Sequence, residues 1–166
     1  MMEDAFRATV YFNGDLYQII TMAQGMLDFA DPDLSPQILM PTTTDAELGG
    51  ALRLALSKSR QVTVPEFQEI LKSGIVQKNA KERQALIMQR HGYKNRKAMM
   101  RKMACCWITA DKAKIEIKPT HHKNIDGYSG ISNDGPEIIF ISTNSGDAEL
   151  GAALKEGFSR CTSAVP

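Results

Sequence analysis

The sequence predicts an α+β fold: a largely antiparallel sheet with packed helices, two similar strand-loop-helix units and a helical insertion between them. Three observations lead there. The phrase Asp45-Ala46-Glu47-Leu48-Gly49 returns as Asp147-Ala148-Glu149-Leu150-Gly151, each time behind a short apolar run entered by proline. Two pairs of strand-like runs flank turn-forming dipeptides, as hairpins do. The order that results is strands, helix, helices, strands, helix, which favours antiparallel pairing over a regular parallel βα alternation.

The first hairpin is expected from Ala8–Phe12 and Leu16–Ile20 around Asn13-Gly14, a dipeptide that tolerates positive φ in a tight turn. Residues 25–36 carry Asp28, Asp31, Pro32, Asp33 and Ser35, the composition of an exposed acidic loop. It leads into a strand at Pro36–Met40. The first repeated helix then opens at Thr44, which with Glu47 forms a capping box. Its apolar residues Leu48, Ala51, Leu52, Ala55 and Leu56 share one stripe and need a surface to cover, most simply a sheet. Thr63, Pro65 and Glu66 start a second helix that Gly74 stops. A third is expected over Lys78–His91, with Gly92 as its break and a resumption over Lys94–Met103.

The second hairpin is expected from Cys106–Thr109 and Ala113–Lys118 around Asp111-Lys112, the latter strand alternating apolar and charged residues with one wet face. Residues Pro119–Pro136 read as a long loop holding one short strand near Tyr128. A final strand over Pro136–Ile141 precedes the second repeated helix, whose stripe is Leu150, Ala153, Leu154, Gly157 and Phe158. Gly146 stands where Thr44 caps the first copy. Glycine is the weaker cap, which leaves Ser145 as the alternative with a shifted boundary. The carboxylates of both first turns suit the positive end of a helix dipole and are given no chemistry.

At 166 residues the chain fits one domain, 1–166, and a chain of this size buries about 70 % of its unfolded surface without a disulfide or metal. No apolar stretch approaches the ~20 residues that span a bilayer. The opening Met1-Met2-Glu3-Asp4 has no basic region followed by an apolar core, so cytoplasmic residence is the expectation. The three cysteines, Cys105, Cys106 and Cys161, form neither a disulfide framework nor a zinc spacing and read as buried thiols. Net charge is +1, but it is unevenly spread. From Lys78 to Lys102 nine basic residues face only Glu82, whereas the first third is acidic. A charge run of that kind is usually a solvated helix face.

Catalytic, metal-binding and cofactor-binding signatures are missing. His121-His122 is the best acid-base cluster, yet neighbours on an extended segment point to opposite sides. His91 sits at a helix end, where a ring commonly serves the last carbonyls. A cysteine nucleophile needs a histidine beside it in space, which spacing cannot supply. There is no His-Glu-x-x-His, no Cys-x-x-Cys, no calcium loop, no phosphate-binding glycine motif and no dinucleotide fingerprint. The pattern suits a binding protein better than an enzyme.

Gly92-Tyr93-Lys94-Asn95-Arg96-Lys97-Ala98 through Met103, then Ile115-x-Ile117-Lys118-Pro119-Thr120-x-His122 and Gly127-Tyr128-Ser129-Gly130, resemble the CdiI immunity proteins of bacterial contact-dependent growth inhibition. The resemblance extends to Leu48-Gly49-x-Ala51-Leu52 with Ser57-x-Ser59-Arg60, and to Leu150-Gly151-Ala152-Ala153-Leu154 with Ser159-Arg160-Cys161, so it covers nearly the whole chain. It implies a small non-enzymatic cytoplasmic antidote, without cofactor or metal, that binds the toxic C-terminal domain of a cognate CdiA effector. By family analogy that domain is a nuclease, and more particularly a ribonuclease, blocked at its active site or substrate cleft. Carboxylates suit such a cleft, so Asp15, Asp28, Asp31 and Asp33 are the candidate toxin-binding residues. Any one of them also reads as a turn residue holding its loop. No membrane contact and no direct nucleic-acid contact are expected; oligomeric state stays open, with a dimer through a sheet edge as one arrangement. The alternative is a single-stranded nucleic-acid module using the basic helical segment, with Tyr11, Phe12, Tyr17 or Trp107 stacking on bases.

Overall fold

The computed structural model describes residues 5–131 and 135–166. Asn133 and Asp134, assigned above to the long loop, and the opening Met1–Asp4 lie outside them. Strands β1 (Phe6–Phe12), β2 (Tyr17–Gln24), β3 (Asp28–Ala30) and β4 (Gln37–Leu39) precede helix α1 (Asp45–Ser57). Helices α2 (Val64–Ser73), α3 (Ile75–His91) and α4 (Arg96–Met100) follow. Strands β5 (Ala104–Ala110), β6 (Lys114–Asn124), β7 (Gly127–Gly130) and β8 (Ile139–Ser142) then lead to α5 (Asp147–Ser159) and the short β9 (Thr162–Ser163).

The strands make one curled sheet in the order β3-β2-β1-β5-β6-β7, antiparallel throughout, with β4 added to β2 and β8 to β6. Only β9 is parallel to its neighbour, β6. Each half therefore runs hairpin, two short outer strands, helix. The central pair β1 and β5 joins the halves, with Val10 opposite Cys106 and Ala8 opposite Ile108.

The two hairpin loops are built alike. Neither is a two-residue turn: Phe12 pairs with Tyr17 and Ala110 with Ile115, leaving four residues in each loop. The reason lies in the first loop residue. The Asn13 carboxamide oxygen accepts from the amides of Asp15 and Leu16, and the Asp111 carboxylate from those of Ala113 and Lys114. A side chain that mimics a backbone acceptor in this way holds a longer turn. In the first of these loops Gly14 supplies a positive φ, at 93°.

Helices α1 and α5 lie together on one face of the sheet and bury Leu48, Leu52, Leu150 and Leu154 completely against Val10, Ile19, Ile108 and Ile117. They also cross each other at backbone contact. A β-carbon on Gly49 would stand 1.8 Å from the Asp147 carbonyl oxygen, and one on Gly151 would stand 1.8 Å from that of Asp45. The first-turn aspartates are spent reciprocally: Arg53 on α1 pairs with Asp147 at 2.9 Å, and Lys155 on α5 with Asp45 at 2.7 Å. Arg53 donates further to the Thr143 and Ser145 carbonyls, and Lys155 to that of Thr43. The Thr44–Glu47 capping box forms, with Thr44 Oγ1 accepting from the Glu47 amide at 3.1 Å. At α5 the cap is Gly146 with no side-chain bond, and Ser145 does not replace it; its amide donates to the Ser142 carbonyl.

The opposite face is covered in part by α3 and α4, where Ile87, Met99, Met100 and Met103 pack on Leu16, Tyr11 and Tyr128. Two helices shorten or lengthen against expectation. Helix α3 begins at Ile75, directly after Gly74, whose positive φ both ends α2 and starts α3. Helix α4 spans five residues rather than the ten of Lys94–Met103, because Asn95 caps it and Met103 is already turning into β5. The long loop after Pro119 is largely strand. Pro119 falls at the break between the two outer partners of β6, β8 ending at Ile117 and β7 beginning at Thr120, so its missing amide interrupts no outer ladder. The final strand starts at Ile139, not Pro136.

Candidate functional site

The segment from Asp28 to Leu39 leaves the sheet edge and faces α3 across a groove of about 550 Å³. One wall is Ala30, Asp31, Pro32, Leu34 and Ile38; the other is Val76, Asn79, Glu82, Arg83, Leu86 and Arg90. The segment is not a loose acidic loop. Its first three residues form β3 on β2, and Asp31 is buried at 3 % exposure. The Asp31 carboxylate receives Arg60 Nε at 2.7 Å, Arg60 Nη2 at 3.2 Å and the Asp33 amide at 3.0 Å, while its own amide donates to the Thr21 carbonyl. Burial works against charge on Asp31, but the hydrogen bonds from Arg60 and the Asp33 amide outweigh it and hold the carboxyl below the usual carboxylate range. Arg60 also reaches Asp33 at 3.2 Å and Glu66 at 3.5 Å, so one guanidinium ties the segment to the start of α2.

The four aspartates singled out from sequence do not form one free acidic patch. Asp31 is an internal strut. Asp33 stays mostly exposed, 77 % at the side chain, although Arg60 reaches its carboxylate. Asp28 pairs with Arg7. Asp15 belongs to the first hairpin loop and accepts from the Tyr93 hydroxyl, whose pKa is pushed up to about 12 by burial and by that carboxylate. The eight-residue strand β2 separates Asp15 from Asp28, a span on the order of 25 Å.

Sequence reasoning missed Arg83. It lies one turn before buried Ile87 on α3, with its Nε buried and no hydrogen-bond partner among the described residues. Its guanidinium lines both the main groove and a smaller cavity of about 120 Å³ bounded by Tyr11, Gln18, Arg96 and Tyr128. Burial lowers its pKa, and burial raises that of the neighbouring Tyr11. The only signal was an arginine four residues from an apolar one inside a helix otherwise taken as solvated.

The proposed base-stacking residues are used internally. Phe12 stacks on Tyr17 with centroids 4.2 Å apart, both touch Phe158, and Tyr11 meets Tyr128 edge-on. Trp107 alone keeps about a third of its surface exposed, on the open part of the second sheet face. In the basic segment Arg96 pairs with Asp126 and Gln84, while Lys78, Lys81, Arg90, Lys94 and Lys97 are exposed.

His121 and His122 lie on β6 rather than in a loop, and point to different surroundings. His121 Nδ1 is 2.8 Å from Thr162 Oγ1; the buried His122 ring stacks on Tyr128, with Nε2 3.3 Å from the Ile125 carbonyl. Cys105 and Cys106 are both buried, because β5 is covered on both faces at that point. Among the described residues no three His, Cys, Asp or Glu side chains are grouped to hold a metal ion, and no helix is long and apolar enough to cross a membrane.

The architecture is that of an immunity-protein fold. The CDI immunity protein model matches residues 6–161, and the chain belongs to that family. It is 27 % identical to immunity protein CdiI-YPIII of Yersinia pseudotuberculosis serotype O:3, over 93 % of this chain and 94 % of the relative. A chain of the CdiA-CT/CdiI toxin and immunity complex from Yersinia pseudotuberculosis superposes with a TM-score of 0.85 at 25 % identity, covering 95 % of this chain and 98 % of the other. A protein of unknown function from Neisseria meningitidis matches at 0.86 and 25 %, covering 96 % of each.

Proposed function

We propose that this protein binds the toxic C-terminal domain of a cognate CdiA effector in the cytoplasm and neutralises it by occupying its active site or substrate cleft, without catalysing a reaction itself. The observation that carries this reading is the match of nearly the whole chain, in family and in fold, to proteins that include a chain of a toxin–immunity complex. The toxin is a nuclease in this reading, most specifically a ribonuclease. Such enzymes present a basic cleft to the phosphate backbone, and an inhibitor can fill it with fixed carboxylates.

The docking face is the groove between the 28–39 segment and α3. Glu82 supplies its exposed acid, Leu86 an exposed apolar contact, and Asp31 positions the segment through Arg60, which also holds the exposed Asp33 of the same segment. Asp28, paired with Arg7, and Asp15, which accepts from Tyr93, stand at opposite ends of β2 as separate candidate contacts. Because one free toxin molecule turns over repeatedly, the complex must be tight, which calls for a pre-organised interface on the order of 1,600 Å² or more. The Arg60 anchor supplies pre-organisation, since the segment is already tied to α2 before binding.

Coexpression of the chain with the toxic domain encoded next to it tests the reading. Growth should be restored and the two proteins should purify together at fixed stoichiometry, with little retention of RNA by the immunity protein alone. Charge reversal at the face, Asp33→Lys or Glu82→Lys, should weaken the complex roughly tenfold or more, mainly through faster dissociation. Equal affinity in both variants, measured by calorimetry, would move the docking face elsewhere.

A further inference from the structure

The two halves of the fold place different chemistry at one matching pair of positions. By the correspondence of the loops Asn13–Leu16 and Asp111–Lys114, Ala8 on β1 matches Cys106 on β5. By the correspondence of α1 and α5, Ser59 after the first helix matches Cys161 after the second. Ser59 holds its helix end to the sheet by accepting from the Arg7 amide and donating to the Met22 carbonyl. Cys161 does the same work against Cys105, whose carbonyl lies 3.4 Å from its sulfur. An alanine and a serine satisfy this site in one half, so packing alone does not call for two thiols in the other.

Those two thiols stand sulfur to sulfur at 3.7 Å. Cys106 is wholly buried, whereas Cys161 is half-buried and lines a cavity of about 290 Å³ that also holds Arg101, Lys102 and Thr162. Cys105 is turned to the other face of β5, toward Tyr11. We propose that Cys161 and Cys106 form an oxidisable dithiol, a modification site at which a hydroperoxide converts the pair to an intramolecular disulfide. The neighbouring Cys106 thiol favours the Cys161 thiolate and holds the Cys161 pKa below its ordinary value, while the same contact and burial push Cys106 up. Cys161 is thus the sulfur that reacts first.

The chemistry balances without any other reagent. The Cys161 thiolate attacks one peroxide oxygen, the O–O bond breaks with two electrons leaving sulfur, and the departing hydroxide takes up the proton that Cys161 had released. Cys106 sulfur then displaces the hydroxyl from the sulfenic acid, its own proton leaving with that hydroxyl as water. Two thiols and one hydroperoxide become one disulfide and, with hydrogen peroxide, two waters. Closing the bond needs the sulfurs to approach from 3.7 Å to about 2.05 Å. The product staples the end of α5 to the central strand. This inference is independent of which toxin is bound.

Hydrogen peroxide applied to the purified full chain tests it, followed by a thiol count in denaturant and peptide mapping. The count should fall from three to one, reversibly with dithiothreitol, with Cys106 and Cys161 in one linked peptide pair. Cys161→Ser, which installs the residue of the first half, should abolish the loss. Cys106→Ala, likewise the residue of the first half, should leave a Cys161 sulfenic acid that a cyclic 1,3-diketone traps. Retention of three thiols, a linkage through Cys105, or bonds only between molecules would overturn the assignment, provided that each variant keeps the wild-type circular dichroism.

Discussion

Asp31 shows how a residue that reads as surface acid becomes a structural strut. Its neighbours Pro32, Asp33 and Ser35 signal a turn, and nothing nearby in sequence announces Arg60, twenty-nine positions away. The partner is therefore legible only in three dimensions. Asp31→Asn leaves Arg60 with a weakened acceptor at a buried position and should cost about 2 kcal/mol in denaturant unfolding. The linkage has a definite sign. A carboxyl held below its unfolded value contributes stability that is complete above about pH 4 and is lost as pH falls through the lower folded value. The wild type should thus lose stability below pH 4 more steeply than Asp31→Asn; parallel acid profiles would contradict the role given to this carboxylate.

At the level of elements, the repeated phrase acquires its physical reason from the α1–α5 crossing. Leucines at its fourth position pack on the sheet, glycines at its fifth allow the backbones to touch, and aspartates at its first meet Arg53 and Lys155 on the opposite helix. The stripe and the cap were readable from one segment alone, because both are local. The reciprocal contact was not, since it needs two segments to be brought face to face. Gly49→Ala or Gly151→Ala should separate the helices and destabilise by about 3 kcal/mol, well beyond a helix-favouring change at an open position. Arg53→Ala should cost less, about 1–2 kcal/mol, because it removes an exposed pair together with the bonds to the Thr143 and Ser145 carbonyls. Thr44→Ala should cost about 1 kcal/mol, whereas Gly146→Ser should stabilise by a few tenths of a kcal/mol, since the cap position already has an extended backbone that serine adopts. Thermal unfolding of the set orders these effects.

For the whole molecule, the fold class, both hairpins and the helix starts to within a turn were legible from periodicity, proline and glycine. The continuation of β6 past Pro119 was not, because a proline and two glycines imitate a loop unless the change of strand partner at that point is known. The groove beside α3 was invisible for a different reason: it is made by the first half and the helical insertion, segments that composition describes only as acidic and basic. Family membership rests on a match along residues 6–161.

The most direct measurement is calorimetric titration of the purified protein into the isolated toxic domain of its proposed CdiA partner, with the proposed activity of that domain on RNA followed in the same samples. A tight complex of fixed stoichiometry, with cleavage falling in step with occupancy, is the predicted result. A toxic domain that remains fully active when saturated, or that forms no complex at all, would contradict it.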